Sequence, residues 1–144
     1  MVLRKIKLAK KKQMSCNLSL NEMKIEIEKF SKKLKPGTII TFHGPIGAGK
    51  TTFVSSLAKE LGYEGQVSSP TYAILNQYDN IMIHIDAYRI SEEDLDIDKY
   101  VDEGYIICIE WSENISTFIP HINYEIHLDY TEDFNKRVLT IKGE

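Results

Sequence analysis

The chain has 144 residues, a net charge of −3, 42% hydrophobic and 27% charged residues. This is the make-up of one ordinary globular domain, and it excludes a disordered, collagen-like or disulfide-scaffold protein. Two isolated cysteines, Cys16 and Cys108, fit neither a disulfide framework nor a zinc site, and no apolar run reaches the ~18 residues of a membrane span. A cytoplasmic protein is expected.

Arg4, Lys5, Lys7, Lys10, Lys11 and Lys12 crowd the first 12 residues and leave 12 basic against 21 acidic residues in the rest, a net −9. Residues 1–18 are expected to be a flexible basic extension and residues 19–144 the domain. An acidic body opposes broad nucleic-acid binding by the domain itself. Ser19 with Glu22 forms a capping-box signature, and Met23, Ile27, Phe30 and Leu34 recur at helical spacing, so a helix is expected over 20–34. Pro36-Gly37 ends it. Thr38 to Phe42 predicts a buried strand, Gly44 opens a glycine-rich loop, and Phe53, Leu57, Ala58 and Leu61 mark a helix over 50–61 that Gly62 stops.

A polar loop, Ser68-Ser69-Pro70-Thr71, precedes two runs, 72–78 and 81–85, that predict a hairpin around Asp79-Asn80. An acidic helix is expected over about 92–103. Tyr105 to Ile109 is apolar throughout, the mark of a strand buried on both faces. Strands over about 123–128 and 136–142 close the chain. Together these elements predict an α/β fold, a mixed sheet of the P-loop NTPase kind flanked by helices.

Gly44-Pro45-Ile46-Gly47-Ala48-Gly49-Lys50-Thr51 satisfies G-x-x-x-x-G-K-[ST] in full, with an apolar strand before it and a helix starting within it. Glycines let the backbone curl so that successive N–H groups face phosphate oxygens, and the helix start adds unpaired amides and the positive dipole end. In such a loop Lys50 reaches the β- and γ-phosphates and the Thr51 hydroxyl ligates Mg²⁺. The metal also needs a strand-end acid. Asp86, after Ile81 to Ile85, and Glu110, after Ile106 to Ile109, both qualify, and spacing alone leaves the choice open. His43, His84, His121 and His127 lack metal-site spacing and are expected as packing or surface histidines, with Cys108 as a core thiol.

Four motifs in this order resemble the TsaE family (formerly YjeE) of bacterial P-loop ATPases. They are the loop through Thr51-Thr52-Phe53, S-P-T-Y at Ser69–Tyr72, H-x-D-x-Y-R at His84–Arg89, and I-E-W at Ile109–Trp111. The resemblance covers roughly 19–142. It implies binding of ATP and Mg²⁺ and ATP hydrolysis in support of a TsaB–TsaD pair. That pair transfers a threonylcarbamoyl group to the tRNA adenosine beside the anticodon, and contact of this chain with tRNA would be indirect or weak. It also implies that Gly47, Ala48, Gly49, Lys50, Thr51 and Thr52 bind the nucleotide and that Thr51 and Glu110 hold the metal. Asp86 would act near the metal or its water, and Ser69 and Thr71 on the γ-phosphate side. Trp111 matches the aromatic after the metal acid. The family commonly has Gly-Asp-Leu-Gly where this chain has Gly44-Pro45-Ile46-Gly47, so a family carboxylate is replaced by Pro45, which has no N–H.

A GTPase is disfavoured because Asn135-Lys136-Arg137-Val138 fails the N-K-x-D pattern at its last position. A small P-loop kinase remains as an alternative, although such enzymes close an arginine-bearing lid and this chain has only Arg4, Arg89 and Arg137. A nucleotide-sensing regulatory protein also remains, since it needs the same cradle as an ATPase.

Overall fold

In this computed structural model, residues 12–67, 75–88 and 95–144 are described. The elements run β1 (Lys12–Ser19), α1 (Leu20–Ser31), β2 (Ile39–His43), α2 (Lys50–Glu60), β3 (Leu75–Tyr78), β4 (Met82–Asp86), α3 (Ile97–Asp102), β5 (Ile106–Glu110), a 3₁₀ segment (Ser112–Phe118), β6 (Tyr124–Tyr130) and β7 (Lys136–Gly143). One seven-stranded sheet has the order β1-β7-β6-β2-β5-β4-β3. Its centre, β6-β2-β5-β4, is parallel, and β3, β7 and β1 add antiparallel edges. The mixed α/β sheet with flanking helices is the architecture expected from the sequence.

Strand alternation sends side chains to two cores. On one face Ile40, Phe42, Cys108, Ile126 and Leu128 pack beneath α1 and α2, which contribute Met23, Ile27, Phe30, Phe53 and Leu57. Phe53 meets Phe30 and Phe42 edge-on, with centroids 6.1 and 5.4 Å apart. On the other face Ile39, Ile83, Ile85, Ile107 and Ile109 lie beneath Ile97, Ile115 and Ile119. Every residue of β5 is buried, as its apolar run predicted. The capping box forms as predicted: the Glu22 amide donates to Ser19 Oγ at 3.2 Å, and the Ser19 amide donates to Glu22 Oε1 at 2.9 Å.

Three expectations need correction. Residues 12–18, expected within a flexible extension, form most of β1 and pair with β7 in an eight-residue antiparallel register. Leu18 is buried, Met14 and Cys16 pack against the first core, and Ser15 Oγ lies 3.0 Å from Thr140 Oγ1 across the pair. The physical reason is the strict alternation of Met14, Cys16 and Leu18 with Gln13, Ser15 and Asn17, a period-two pattern beside the lysine run. The helix expected over 92–103 is shorter: it begins at Ile97, capped by Asp96 Oδ1 accepting from the Lys99 amide at 3.1 Å. Residues 92–94 lie outside the described residues. The segment between Trp111 and Pro120, which Pro120 marks in the sequence as a loop, makes the 3₁₀ turns of Ser112–Phe118.

His43 and His127 are register partners on β2 and β6, and their rings stack with centroids 4.6 Å apart. Burial holds both imidazoles below the ordinary histidine range. At His43 the Glu125 and Glu113 charges oppose that shift and the Lys50 and Lys142 charges add to it. At His127 the His43 and Lys142 charges add to it and Glu125 opposes it. The unfolded chain takes up these protons near pH 6.5, and the folded chain only at lower pH. The unfolded state therefore binds more protons below about pH 6.5, and stability falls as pH drops through that window. The urea midpoint is expected to be lower at pH 5.5 than at pH 7.5. The decline should be shallower in a His43→Gln/His127→Gln variant, and an equal decline would contradict this origin.

Candidate functional site

Because β2, β4 and β5 are parallel, their carboxyl ends meet at one edge of the sheet, where open α/β folds bind ligands. From β2 the chain enters the glycine loop. Gly44 has φ +142°, and a Cβ there would lie 2.0 Å from the Leu128 carbonyl oxygen, so only glycine passes this close to β6. At Gly47 a Cβ would lie 2.7 Å from the Tyr130 hydroxyl, and that hydroxyl donates to the Ile46 carbonyl, tying the loop to the end of β6. Pro45 keeps a role despite lacking an N–H: its carbonyl accepts from the Ala48 amide at 3.2 Å. Ile46 stands 89% exposed.

Gly49, at φ +107°, precedes α2 without any side-chain cap. The first amides of α2 are thus left for a ligand, at the positive end of an eleven-residue helix. Lys50 turns back over the loop, where its Nζ donates to the Gly44 carbonyl at 2.6 Å and lies 3.9 Å from Glu110 Oε1. Thr51 and Thr52 follow in the first turn. The structure therefore brings Gly47, Ala48, Gly49, Lys50, Thr51 and Thr52 into one loop-and-helix start, with Glu110 facing it.

Glu110 ends β5 and is register partner to Asp86, which ends β4. Asp86 Oδ1 accepts from the Tyr88 amide at 3.0 Å and shapes the turn that follows. Glu110 is buried, and its Oε2 is 2.9 Å from Nε2 of His84, a residue with no exposed surface. The next residue, Trp111, adopts φ 59° and ψ 39°, a conformation rare for a bulky side chain and often found at functional sites. It swings the chain from β5 into the 3₁₀ turns. Asn114 secures that reversal by donating to the Ala87 carbonyl at 3.1 Å, and Trp111 packs on Tyr88 with centroids 4.9 Å apart.

Two cavities flank the loop. One, about 290 Å³, has a mixed lining of Phe42, His43, Gly44, Lys50, Trp111 and Glu113, with the Lys50 ammonium as its cation. The other, about 330 Å³, lies between the loop and the start of α1, against Leu20, Met23, Ala48, Thr52, Phe134 and Arg137. Leu20 and Phe134 stand 59% and 94% exposed there. The Arg137 guanidinium lies 4.9 Å over the Tyr130 ring and donates to the Phe134 and Lys136 carbonyls. Gly47, Ala48, Gly49 and Thr52 of the loop line the second cavity, and Lys50 lines the first.

For the metal, the Thr51 hydroxyl and the Glu110 carboxylate are hard oxygen donors, the kind Mg²⁺ takes. No group of three or more His, Cys, Asp or Glu able to hold a metal occurs among the described residues. The donor set is therefore sparse and suits an ion that keeps waters and substrate phosphates in its shell. Ser69, Thr71 and Arg89 lie outside the described residues. Sequence reasoning missed His84 as part of the site. The available signal was a histidine two residues before Asp86 in an otherwise apolar strand, where a polar ring needs a partner.

A family model described as "Threonylcarbamoyl adenosine biosynthesis protein TsaE" matches residues 18–139. The tRNA threonylcarbamoyladenosine biosynthesis protein TsaE of Bacillus subtilis is 33% identical over 109 residues, 72% of this chain and 69% of that protein. The protein of the same name from Aquifex aeolicus is 41% identical over 91 residues, 60% of this chain and 66% of that one. The matched stretch thus spans about two thirds of each relative's length. The crystal structure of YdiB from Bacillus subtilis superposes with a TM-score of 0.74 at 26% identity, covering 92% of this chain and 86% of that one. No helix among the described residues is long and apolar enough to cross a membrane.

Proposed function

This chain belongs to the TsaE family of threonylcarbamoyl adenosine biosynthesis proteins, and on that premise we propose that it is a Mg²⁺-dependent ATPase. It serves the formation of threonylcarbamoyladenosine in tRNA, working in the cytoplasm with a TsaB–TsaD pair. The observation that carries this reading is the convergence of the Lys50 ammonium, 3.9 Å from Glu110 Oε1, on the mouth of a loop whose helix start is uncapped.

The amides of Gly47 to Thr52 and the Lys50 ammonium hold the β- and γ-phosphates. The apolar slot beside Leu20 and Phe134 takes the adenosine. Thr51 and Glu110 would hold Mg²⁺, which would supply Lewis-acid polarisation of the transferring phosphoryl group. Asp86, beside Glu110 in register, orients the attacking water and takes its proton. Thr71, by its match to the family motif, acts on the γ-phosphate.

Glu110→Ala is expected to remove Mg²⁺-dependent hydrolysis, with a loss of roughly 10²-fold or more, as when one transition-state contact is deleted. The fold should persist with a lowered unfolding temperature, because the buried His84 ring loses its hydrogen-bond partner Glu110. Metal-free ATP binding should survive as well. The check is hydrolysis against Mg²⁺ concentration, with thermal unfolding alongside. A variant that hydrolyses ATP normally, or an Asp86→Ala variant that alone abolishes the metal dependence, would move the ligand role away from Glu110.

A further inference from the structure

His84 is a fully buried imidazole in β4 among Met82, Ile83 and Ile85, which are fully buried too. Its Nδ1 is enclosed and has no hydrogen-bond partner among the described residues. An apolar side chain would fill this place without leaving a polar atom unpaired, which costs free energy in an interior. Among the described residues the ring makes one hydrogen bond, 2.9 Å from Nε2 to Glu110 Oε2. An ionised carboxylate can only accept, so Nε2 carries the proton and donates.

We propose that His84 is a positioning residue for Glu110: it anchors Oε2 within the sheet and so leaves Oε1 aimed at the loop mouth. The geometry divides the carboxylate between two neighbours, with Oε2 on the buried ring and Oε1 3.9 Å from Lys50 Nζ. A glutamate side chain has three rotatable bonds, and without an anchor its carboxylate spreads over several rotamers. Partners behind a metal ligand fix its orientation, and removing one weakens metal affinity by about 10–100-fold. The register reinforces the arrangement. His84 lies beside Cys108 and Asp86 lies beside Glu110, so the ring reaches Glu110 diagonally across adjacent parallel strands. This inference rests on the reading of Glu110 as a Mg²⁺ ligand.

The test is Mn²⁺ binding, followed by electron paramagnetic resonance, to the full chain saturated with a non-hydrolysable ATP analogue. His84→Met should weaken Mn²⁺ binding about tenfold or more, whereas His84→Gln, whose amide nitrogen takes the Nε2 position, should restore most of it. In a Glu110→Gln background, His84→Met should cause no further loss. Analogue affinity measured without metal should be unchanged throughout. A merely structural histidine would instead weaken metal binding equally with and without Glu110, or show no rescue by glutamine. Either result overturns the proposal, as does wild-type Mn²⁺ affinity in His84→Met. Should His84→Met fail to fold, His84→Asn, whose shorter amide falls short of Oε2, must show the same loss. Wild-type affinity in Glu110→Gln would overturn the metal reading itself. A loss in Glu110→Gln with none in the His84 variants overturns this inference alone.

Discussion

Lys50→Ala is expected to lower ATP affinity by about 100-fold or more, to the edge of calorimetric detection. Its ammonium lies at the loop mouth, 2.6 Å from the Gly44 carbonyl, with its side chain only 13% exposed. A bound phosphate there accepts charge-assisted hydrogen bonds, each worth about 1.5–3 kcal/mol, and tenfold in affinity is about 1.4 kcal/mol. The alanine variant also leaves Glu110 without its cationic neighbour, and an unopposed carboxylate repels the triphosphate. Lys50→Arg should rescue little, because a rigid planar fork does not replace a compact point charge in a closely fitted loop. Lys50 belongs to neither core, so thermal unfolding of both variants should stay close to wild type. Titration calorimetry is the check, and unchanged ATP affinity in Lys50→Ala would remove the basis for the P-loop reading.

Adding a TsaB–TsaD pair is expected to raise ATP turnover by as much as 10³–10⁵-fold, the range a cation supplied to a transferring phosphoryl group can provide. The sequence has three arginines, Arg4, Arg89 and Arg137. Arg137 is bound into its own turn through the Phe134 and Lys136 carbonyls and lies over Tyr130, lining the cavity between the loop and the start of α1. Lys50 is the loop's own cation and is already engaged with the β- and γ-phosphates in this scheme. The remaining charge stabilisation is most simply brought by another chain. Steady-state and single-turnover rates should rise together, and Arg89→Ala should lower the stimulated rate more than the basal one. An isolated chain turning over near 10 s⁻¹, an ordinary enzymatic rate, and indifferent to partners would reinstate the free-standing kinase.

The elements most legible in the sequence were those with a single strong local signal. The Ser19/Glu22 capping box, the all-apolar run into Glu110 and the glycine loop each specify their conformation within a few residues, and each appears at its expected place. β1 carried an equally clear alternation, but the lysines before it dominate the local composition and suggest a solvated tail. The left-handed Trp111 and the 3₁₀ turns after it carry no local signal. That reversal depends on Asn114 reaching the Ala87 carbonyl from 27 residues away. Distance in sequence also hid the link from His84 to Glu110, 26 residues apart, because only strand pairing brings them together. Spacing alone could not choose between Asp86 and Glu110. In the structure the two lie side by side, with Glu110 hydrogen-bonded to His84 and close to Lys50, and Asp86 bonded to its own turn.

The role in tRNA modification is tested most directly by measuring threonylcarbamoyladenosine in tRNA made by a TsaB–TsaD pair supplied with threonylcarbamoyl donor and ATP, with and without this chain. Repeated rounds of modification per TsaB–TsaD pair are predicted only when the wild-type chain is present, with ATP consumed in parallel, and none with Lys50→Ala. Repeated rounds in the absence of the chain, or equal support from Lys50→Ala, would contradict it.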